Sequence, residues 1–353
     1  ALLAGWSSPL ALLPIEVADH ALRFLLAMLE RIAELPGMQW HAAAPGTVSM
    51  VLALFGACWL LAPRGVPLRP LGAIWCLPLV LNHSPAPPGG TADITVLDVG
   101  QGLAVVVRTA AHSLVYDAGA KQRGFDAGAA VVAPYLRHQG VSRIDALVIS
   151  HADNDHAGGA LSVLEAFAPT QLFGGAGVQM PAIRFCHSGI HWQWDNVDFM
   201  FLHPATLTEP LADDNNSSCV LRIEAAGHVA LLPGDIEAAS ESHLAANMAG
   251  ALAAQFLVAP HHGSETSSTP GWVSVVNPRF VVYAAGFRNR FGFPRPAVVK
   301  RWADAGAAAS VTFETGAVSY RLGTEGAEPR AYRAQSRRYW HAVGTTGDSG
   351  TRP

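Results

Sequence analysis

The feature that most constrains this sequence is the run at positions 150–159, which reads Ser-His-Ala-Asp-Asn-Asp-His-Ala-Gly-Gly. It follows the apolar stretch 146–149, which predicts a buried strand, and it leads into a segment with helical spacing. A turn from strand to helix directs alternate side chains toward one point, where carboxylate and imidazole groups can hold metal ions. The turn therefore offers two pairs of metal ligands, which are His151 with Asp153 and Asp155 with His156. Two histidines alone are more often structural, but four such residues in one turn favour a metal site.

Short β-branched runs bounded by turn residues surround this motif and predict strands at 94–97, 104–108, 113–116, 146–149, 219–223, 228–232, 256–259 and 280–284. Helix-like segments are predicted at 155–167 and 237–249. Hairpins come first and crossovers later, a pattern that indicates an α/β sandwich. Residues 83–92, with several prolines and glycines, are predicted to be a linker, and residues 323–353 a frayed, flexible tail.

The first part of the chain differs in composition from the rest. Charged residues are sparse before Thr91, and two apolar runs at 48–61 and 71–81 are candidate membrane segments. Each is shorter than the roughly 20 residues that a spanning helix needs, and the alternative is two buried core helices. Residues 22–32 have amphipathic helical spacing and predict a helix that lies at a membrane interface or packs on a preceding part of the protein. The chain opens with Ala and without a signal-peptide pattern, so we expect it to be the tail of a longer protein.

The net charge of −4 argues against a uniformly basic nucleic-acid-binding protein, although a local basic groove is compatible with it. Basic residues with interleaved aromatic residues between 279 and 302 predict such a groove for a single strand, and the alternative is a solvated helix face beside a local core. This set consists of Arg279, Arg288, Arg290, Arg295, Lys300 and Arg301 with Phe287, Phe291, Phe293 and Trp302. Trp192 and Trp194 either stack on bases or pack along a strand. Cys186 and Cys219 can pair if their region faces an oxidising compartment.

Six motifs occur in a fixed order: Asp-Val-Gly-Gln-Gly at 98–102, the run at 150–159, Asn-Asn-Ser-Ser-Cys-Val-Leu at 215–221, Leu-Leu-Pro-Gly-Asp at 231–235, His-His-Gly-Ser at 261–264 and Asn-Arg-Phe-Gly at 289–292. Together, behind apolar segments, they resemble the C-terminal domain of ComEC-type competence proteins, which are membrane channels for DNA uptake. The resemblance covers about residues 91–322. It implies a metallo-β-lactamase-like αββα sandwich at 93–322, preceded at 1–82 by membrane helices that end the transmembrane competence region.

The resemblance also implies a set of metal ligands, which would be His151, Asp153, Asp155, His156, Asp214, Asp235 and either His262 or His261. Asp235 would bridge two ions, and Asp117, at the end of a strand, would orient the site. His262 is favoured over His261 because a glycine follows it, as commonly happens in the family. Asp214 lies in an Asp-Asp-Asn-Asn-Ser-Ser stretch where the family usually has a histidine, and the alternative for this stretch is a polar turn.

Carboxylates at Asp153 and Asp214, where the family usually has imidazole, make the predicted site harder and shift its preference from zinc toward manganese or magnesium. We expect a divalent metal cofactor, with two ions of manganese or zinc, and no nucleotide cofactor. The implied activity is a metal-dependent nuclease in which Asp155 orients the attacking hydroxide and Asp117 supports the catalytic site. Residues expected on the substrate side are Asn215, Asn216, Ser218, Ser264, Asn289 and Arg290.

The resemblance implies DNA, single-stranded or duplex, as the substrate, with the membrane and other DNA-uptake proteins as partners. The strand hydrolysed would be the one not carried across the membrane. Arg64 and Arg69, in the loop between the apolar runs, favour a cytoplasmic loop and therefore an extracytoplasmic hydrolase domain on a multi-pass inner-membrane protein. Leu103 and Phe293 stand where the family often has Asp and His, so a noncatalytic DNA-guiding domain is one alternative. A small-molecule metallohydrolase acting on a lactam or thioester is the other.

Overall fold

The computed structural model describes residues 13–33, 35, 43–81, 84–205, 215–336 and 338 of the chain. The chain divides into two compact units, residues 1–82 and residues 83–353. The helices are α1 (Leu13–Ala33), α2 (Thr47–Leu60), α3 (Gly72–Val80), α4 (Ala133–His138), α5 (Asn154–Ala157), α6 (Ala160–Phe167), α7 (Ala238–Leu252), α8 (Pro270–Val276), α9 (Pro296–Asp304), α10 (Thr312–Thr315) and α11 (Tyr332–Gln335). The predicted helices at 155–167 and 237–249 correspond to α5 with α6 and to α7.

The strands are β1 (Ala92–Val96), β2 (Val105–Arg108), β3 (Ser113–Tyr116), β4 (Lys121–Gln122), β5 (Phe125–Asp126), β6 (Ala146–Ile149), β7 (Gln171–Gly174), β8 (Arg184–Phe185), β9 (His191–Trp194), β10 (Val197–His203), β11 (Val220–Ala225), β12 (His228–Leu232), β13 (Phe256–Val258), β14 (Phe280–Tyr283), β15 (Ala308–Val311), β16 (Val318–Leu322) and β17 (Arg330–Ala331). Every strand predicted from the sequence is present within two residues at either end. Short strands such as β7, β8 and β9 were not predicted.

The first unit contains one amphipathic helix and a pair of packed apolar helices. The amphipathic helix predicted at 22–32 is confirmed by α1, whose side chains are all exposed. α2 and α3 approach closely because Gly56 and Gly72 face each other, and a Cβ on either would overlap a backbone oxygen of the other. Arg69 in the connecting loop donates a hydrogen bond of 2.7 Å to the carbonyl oxygen of Leu60 at the end of α2.

The two apolar runs form helices that are shorter than a membrane-spanning helix. α2 has 14 residues and α3 has 9, whereas a spanning helix needs about 20. In the part of the chain that the structure describes, no helix is both long enough and apolar enough to cross a membrane. The predicted spanning segments at 48–61 and 71–81 are therefore not confirmed. The alternative of buried core helices is not seen either, because most of their apolar side chains are exposed.

The second unit is built around two sheets. Within the described residues, the first sheet has eight strands in the order β17-β16-β1-β2-β3-β6-β7-β8, and the second has seven in the order β15-β14-β13-β12-β11-β10-β9. Each sheet is antiparallel on one side and parallel on the other. Parallel neighbours are β3 with β6, β6 with β7 and β7 with β8 in the first sheet, and β12 through β15 in the second. The crossovers between parallel strands bring helices onto the outer faces of the sheets.

Three apolar clusters define the layers of this unit. One lies between the two sheets and includes Phe256. The second packs α4 and α6 onto the outer face of the first sheet and includes Leu136, and the third packs α7, α8 and α9 onto the second sheet and includes Trp272. Strands buried on both faces explain the continuous apolar runs of the central segments. The predicted αββα sandwich is confirmed.

A disulfide joins the two sheets. Cys186 directly follows β8 of the first sheet, Cys219 directly precedes β11 of the second, and their Cα atoms are 5.8 Å apart. Both residues are buried. The hydroxyl of Tyr116, at the end of β3, donates a hydrogen bond of 2.6 Å to the carbonyl oxygen of Cys219. The disulfide therefore lies at the end of the sandwich where β3 and β6 finish.

The predicted boundary at residue 322 is too early. β17 pairs antiparallel with β16, so the first sheet continues beyond that point. Arg333 in α11 forms an ion pair of 2.7 Å with Asp98 in the loop after β1. These contacts hold residues that their composition had assigned to a flexible tail. The Gly-rich composition suggested disorder, but composition does not reveal strand pairing. Residues 337 and 339–353 of that tail lie outside the described residues.

Gly159, at the start of α6, makes a backbone contact that a larger residue cannot make. A Cβ at Gly159 would overlap the carbonyl oxygen of Ala118 and the backbone of Gly128. We expect Gly159→Ala to lower the free energy of unfolding by about 1–3 kcal/mol, as overpacked substitutions do.

The matched control is Gly250→Ala in α7, where no heavy atom lies within 4 Å of the Cβ position. That change should alter the free energy of unfolding by no more than about 1 kcal/mol, in the stabilising direction, because Ala is a better helix former. Urea unfolding of both variants measures the difference, and equal effects at the two positions would contradict the close-packing interpretation.

Candidate metal centre

The metal-type residues gather at the carboxyl ends of four neighbouring strands. Asp117 follows β3, His151 follows β6, Asp235 follows β12 and His262 follows β13. In layered α/β folds, ligands bind at this end of the sheet, where the loops leave the strands. The first sheet therefore supplies one half of the site and the second sheet supplies the other.

A fully buried carboxylate organises the half that comes from the first sheet. Asp117 accepts hydrogen bonds from the backbone N–H of Ser150 at 2.6 Å and from its hydroxyl at 2.7 Å. It also accepts from Nδ1 of His156 at 2.7 Å. Asp117 has a left-handed backbone conformation, with φ of 58°, which turns its side chain back toward β6. The expectation that Asp117 orients the site agrees with these contacts.

The histidines use their Nδ1 atoms for internal hydrogen bonds, which leaves their Nε2 atoms as possible ligands. Nδ1 of His156 contacts Asp117, and Nδ1 of His262 donates to the carbonyl oxygen of Ala284 at 2.8 Å. Nδ1 of His151 lies 2.9 Å from the hydroxyl oxygen of Ser150. A hydrogen bond at one ring nitrogen fixes the tautomer and the ring orientation, which is the usual arrangement for metal-binding histidines.

Two overlapping groups of donors have the spacing that a metal ion requires. One consists of His151, His156 and Asp235, and the other of Asp155, His156 and His262. Nε2 of His156 is 3.1 Å from both Nε2 of His262 and Oδ1 of Asp235, and Nε2 of His262 is 3.4 Å from Oδ2 of Asp155. Ligands about 2.0–2.1 Å from a tetrahedral ion lie roughly 3.3 Å from one another. These donors therefore fit a divalent cation.

His151 provides an independent sign of a ligand site. Its ring is fully buried, and its Nε2 atom has no hydrogen-bond partner among the residues that the structure describes. A buried polar atom without a partner is costly unless something else satisfies it. Oδ2 of Asp153 lies 3.7 Å away on a side chain that is 54% exposed. Asp153 therefore lies next to His151. It belongs to neither of the two donor groups, whereas the sequence predicts that it holds an ion together with His151.

His261 and His262 have different environments. His262 is buried within a donor group, whereas Nε2 of His261 is 3.9 Å from Oδ2 of Asp235. Nδ1 of His261 lies 3.1 Å from both Oε1 of Glu237 and the hydroxyl of Thr266. Both histidines adopt left-handed backbone conformations, which direct their rings to different sides of the loop. The geometry thus favours His262 as the ligand, with His261 beside the centre.

Neighbouring charges control the protonation of the site. Burial would lower the pKa of His262, but the Asp235 carboxylate and hydrogen bonds with Asp155 and Asp235 raise it to about 9. Burial likewise opposes a charge on His156, yet Asp235 and Asp117 raise its pKa well above the usual value. Burial would raise the pKa of Asp155, but His262 and His156 lower it to about 2. The raised pKa values therefore favour protonated imidazole at the centre at neutral pH, and a cation that bound there would displace protons.

Most residues expected on the substrate side make structural contacts. The hydroxyl of Ser218 is occupied within the protein. It accepts a hydrogen bond from the backbone N–H of Asp235 at 3.0 Å and lies 3.3 Å from Nδ1 of His151. Ser264 is buried against Thr266, with 2.9 Å between the hydroxyl oxygens. The side chains of Asn215 and Asn216 reach Glu237, at its carboxylate and at its backbone N–H respectively. Asp214 lies outside the described residues.

The predicted basic groove is smaller than expected. Trp302 is fully buried and donates to Ser268, and Lys300 pairs with Asp304 on the same helix. Arg301 bonds the backbone of Ser268, and Arg279 pairs with Glu328, so both belong to the surrounding structure. Trp192 packs in the strand layer, stacked on Phe199 and Phe173, as the alternative prediction had it. Only the arginines and phenylalanines between residues 286 and 295 remain together near the histidines.

Two residues near the centre were not identified from the sequence. Ser150 contacts Asp117, His151 and His156. Its position between a buried strand and the first histidine could have identified it from the sequence. Glu237 approaches His261 only because the loops after β12 and β13 meet in space. No local pattern in the sequence marks that encounter.

Asp117→Asn should weaken metal binding about 10- to 100-fold, because an amide cannot hold Ser150 and His156 as the buried carboxylate does. Competition against a metal-sensitive fluorescent chelator measures the change. Asp145→Asn is the matched control, since Asp145 accepts from Ser113 at the opposite ends of β3 and β6. Equal losses in the two variants would contradict the assigned role of Asp117.

Metal binding at neutral pH should release protons, because the raised pKa values of His156 and His262 favour protonated imidazole in the metal-free protein. The release should decrease as the pH rises through the pKa of His262, about 9. Titration calorimetry in buffers of different ionisation enthalpy measures the number of protons. A binding heat that is independent of the buffer would contradict this electrostatic description.

Comparison with known proteins agrees with the arrangement of the site. Residues 97–286, more than half of the chain, match the model of the metallo-beta-lactamase superfamily. Competence protein ComA of Neisseria gonorrhoeae is 36% identical over 327 residues, which are 92% of this chain and 45% of that protein. Recombination protein 2 of Haemophilus influenzae is 32% identical over 234 residues, which are 64% of this chain and 28% of that protein. The chain spans less than half of the length of these relatives.

Among solved structures, the chain is similar to Igni18, a metallo hydrolase from the archaeon Ignicoccus hospitalis, with 17% identity and a TM-score of 0.42. That similarity covers 64% of this chain and 98% of the other. The family match extends from the loop after β1 to the end of β14 and so includes the strand ends that carry the donor groups. This chain therefore belongs to the metallo-beta-lactamase superfamily and is related within it to the ComEC-type competence proteins.

Proposed function

We propose that this chain is the metal-dependent hydrolase part of a DNA-uptake protein and that it cleaves phosphodiester bonds of DNA. The observation that carries this proposal is the convergence of five donor side chains, which are His151, His156, His262, Asp155 and Asp235. A catalytic ion usually takes three ligands from the protein, so five donors at one point suit a pair of nearby divalent ions. Such pairs favour displacement at phosphorus, where attacking and leaving oxygens both need stabilisation.

The residues of the site would divide the work as follows. His151, His156 and His262 would hold the ions together with the carboxylate of Asp235. Divalent ions, once bound, polarise the phosphate and lower the pKa of water. The donors combine imidazole nitrogen with carboxylate oxygen, a set that suits both zinc and manganese. We therefore propose two divalent ions without choosing between these metals.

Asp155 is the proposed group for proton transfer. Its side chain is 29% exposed, in contrast to the buried ligands, and its carboxylate lies 3.4 Å from Nε2 of His262. In the proposed reaction, a water oxygen forms a bond to phosphorus while the bond from phosphorus to the leaving sugar oxygen breaks. Asp155 accepts a proton from the water, and the leaving oxygen takes one from solvent. Asp117 acts at a distance by holding His156.

The assignment of DNA as the substrate rests on the relatives. Their names refer to competence and recombination, and this chain aligns with them over 327 and 234 residues. We propose that the strand hydrolysed is the one not carried across the membrane, and that other DNA-uptake proteins act with this chain. The substrate-side roles of Asn289 and Arg290 and the metal role of Asp214 remain predictions from the sequence.

We further propose a location on the inner membrane, with the hydrolase unit on the extracytoplasmic side. Two features support it. The apolar side chains of α2 and α3 are largely exposed, as on surfaces that meet lipid or another apolar partner. The disulfide between Cys186 and Cys219 is of a kind that persists in oxidising compartments and is rare in the cytosol.

A cleavage assay tests the proposed activity. The chain, loaded in turn with manganese and with zinc, should cut labelled single-stranded or duplex DNA, and Asp155→Asn should lower the rate at least about 100-fold. Asp145→Asn, at the far end of β6, should retain the wild-type rate.

A chain that binds metal yet cuts neither form of DNA would contradict the nuclease proposal. Hydrolysis of a lactam or a thioester under the same conditions would identify a small-molecule hydrolase instead. Equal activity of wild type and Asp155→Asn would remove Asp155 from the mechanism while leaving the ligand set in place.

A further inference from the structure

The segment 286–295, which we call the aromatic loop, exposes phenylalanine rings beside the metal centre. Phe287 is 67% exposed and Phe291 is 39% exposed. Large apolar rings on a loop are costly to leave in water unless they serve a contact. Among the exposed phenylalanines of the second unit, these two lie in the loop that packs next to the histidines.

The aromatic loop is held in one shape by its own asparagine. The Asn289 side chain donates to the carbonyl oxygens of Gly286 at 3.0 Å and Phe293 at 2.7 Å, and it accepts from the backbone N–H of Phe293 at 2.9 Å. The backbone N–H of Arg295 donates to the carbonyl oxygen of Gly263 at 2.9 Å, which attaches the loop to the histidine turn. The rings are therefore displayed by a preorganised loop, which lowers the entropy cost of binding.

A continuous series of rings runs from the donor groups to the exposed end of the loop. The rings of His262 and Phe293 are 6.4 Å apart and inclined by 23°. Phe293 and Phe291 are stacked, with centroids 5.4 Å apart and an angle of 16°. Phe293 also meets His261 edge-on at 5.7 Å. A flat group placed on the outer end of this series would lie a few ring spacings from the metal ligands.

An arginine guanidinium group lies near the ring of each of three phenylalanines in the aromatic loop. Arg288 lies 5.1 Å from the centre of Phe287, Arg290 lies 4.7 Å from that of Phe291, and Arg295 lies 5.9 Å from that of Phe293. None of the three arginines pairs with a carboxylate among the described residues, whereas Arg279, Arg321 and Arg333 do. Ring faces stack on nucleobases, and guanidinium groups without a carboxylate partner bind phosphates.

We propose that the aromatic loop stacks unpaired nucleobases of single-stranded DNA and so delivers a flexible strand to the metal centre. This inference rests on the proposed function and specifies its substrate class. In a duplex, each base is already stacked between neighbours, so its face is not available to a protein ring. A single strand exposes both its base faces and its phosphates, which matches alternating rings and guanidinium groups. Phe291 and Phe287 determine this preference, and the three arginines supply binding that is independent of sequence.

The test measures binding without hydrolysis. The full chain in EDTA is titrated against a fluorescent oligothymidylate, against an abasic oligonucleotide of the same length and charge, and against a hairpin duplex. Wild type should bind the oligothymidylate more tightly than the other two. The double variant Phe287→Ala/Phe291→Ala should weaken binding of the oligothymidylate by about 5- to 100-fold, and that of the abasic strand by less than about twofold.

Three variants serve as controls. Phe185→Ala removes an exposed ring from the edge strand β8, outside the aromatic loop, and should leave all affinities unchanged. Phe291→Trp should retain tight binding because it keeps a stacking surface. Arg290→Ala should weaken the oligothymidylate and the abasic strand equally and reduce the salt dependence of binding, since it removes a phosphate contact.

Equal affinity for the oligothymidylate and the abasic strand would overturn the stacking proposal, as would tighter binding of the duplex. An unchanged affinity in the double variant would do the same. The nuclease proposal is judged separately, by cleavage with metal present. Failure of cleavage would overturn the proposed function, whereas base-independent binding in EDTA would overturn only the role of the aromatic loop.

Discussion

The buried carboxylate of Asp117 is the interaction on which the site depends. It lies at 0% exposure and is satisfied by three hydrogen bonds from Ser150 and His156. A buried charge without such partners would be strongly unfavourable, so loss of any partner destabilises the rest. Because Asp117 ends β3 and its partners follow β6, their parallel pairing and the ligand geometry are specified together. The first sheet cannot shift its register without separating the donors.

The local part of this arrangement could be predicted from the sequence because short-range geometry produces it. The run at 150–159 follows a strand and precedes a helix, and three of its four expected ligands, His151, Asp155 and His156, lie in the donor groups. The αββα layers were equally accessible, since apolar runs and turn residues recur at strand spacing. The pairing of His151 with Asp153, whose nearest atoms are 3.7 Å apart, stays a prediction, whereas the grouping of His151 with His156 and Asp235 was not predicted. That outcome depends on how close the second sheet lies, which no local pattern records.

The remaining errors have similar causes. Hydropathy identified α2 and α3 to within one residue at each end, but neither reaches the length of a membrane-spanning helix, because Pro63 and Gly65 interrupt the apolar stretch between them. Composition marked the residues after 322 as disordered, yet β17 pairs with the preceding strand β16, and Arg333 forms an ion pair with Asp98 in the loop after β1. The clustering of basic residues in the sequence placed Lys300 and Arg301 in the predicted groove. On helix α9, Lys300 instead pairs with Asp304, and Arg301 donates to the carbonyl oxygen of Ser268. In the last two cases, contacts made in the folded chain decided the result.

The two sheets meet at the metal centre, which gives a bound cation a structural role as well as a chemical one. Without a cation, Asp235 and Asp155 lie against the rings of His156 and His262. A divalent cation at this point would displace protons and link groups from opposite sheets. The disulfide between Cys186 and Cys219 crosses at the same end, adjacent to Ser218, which contacts His151 and Asp235. Covalent and electrostatic links therefore reinforce one edge of the sandwich, the edge from which the aromatic loop also projects.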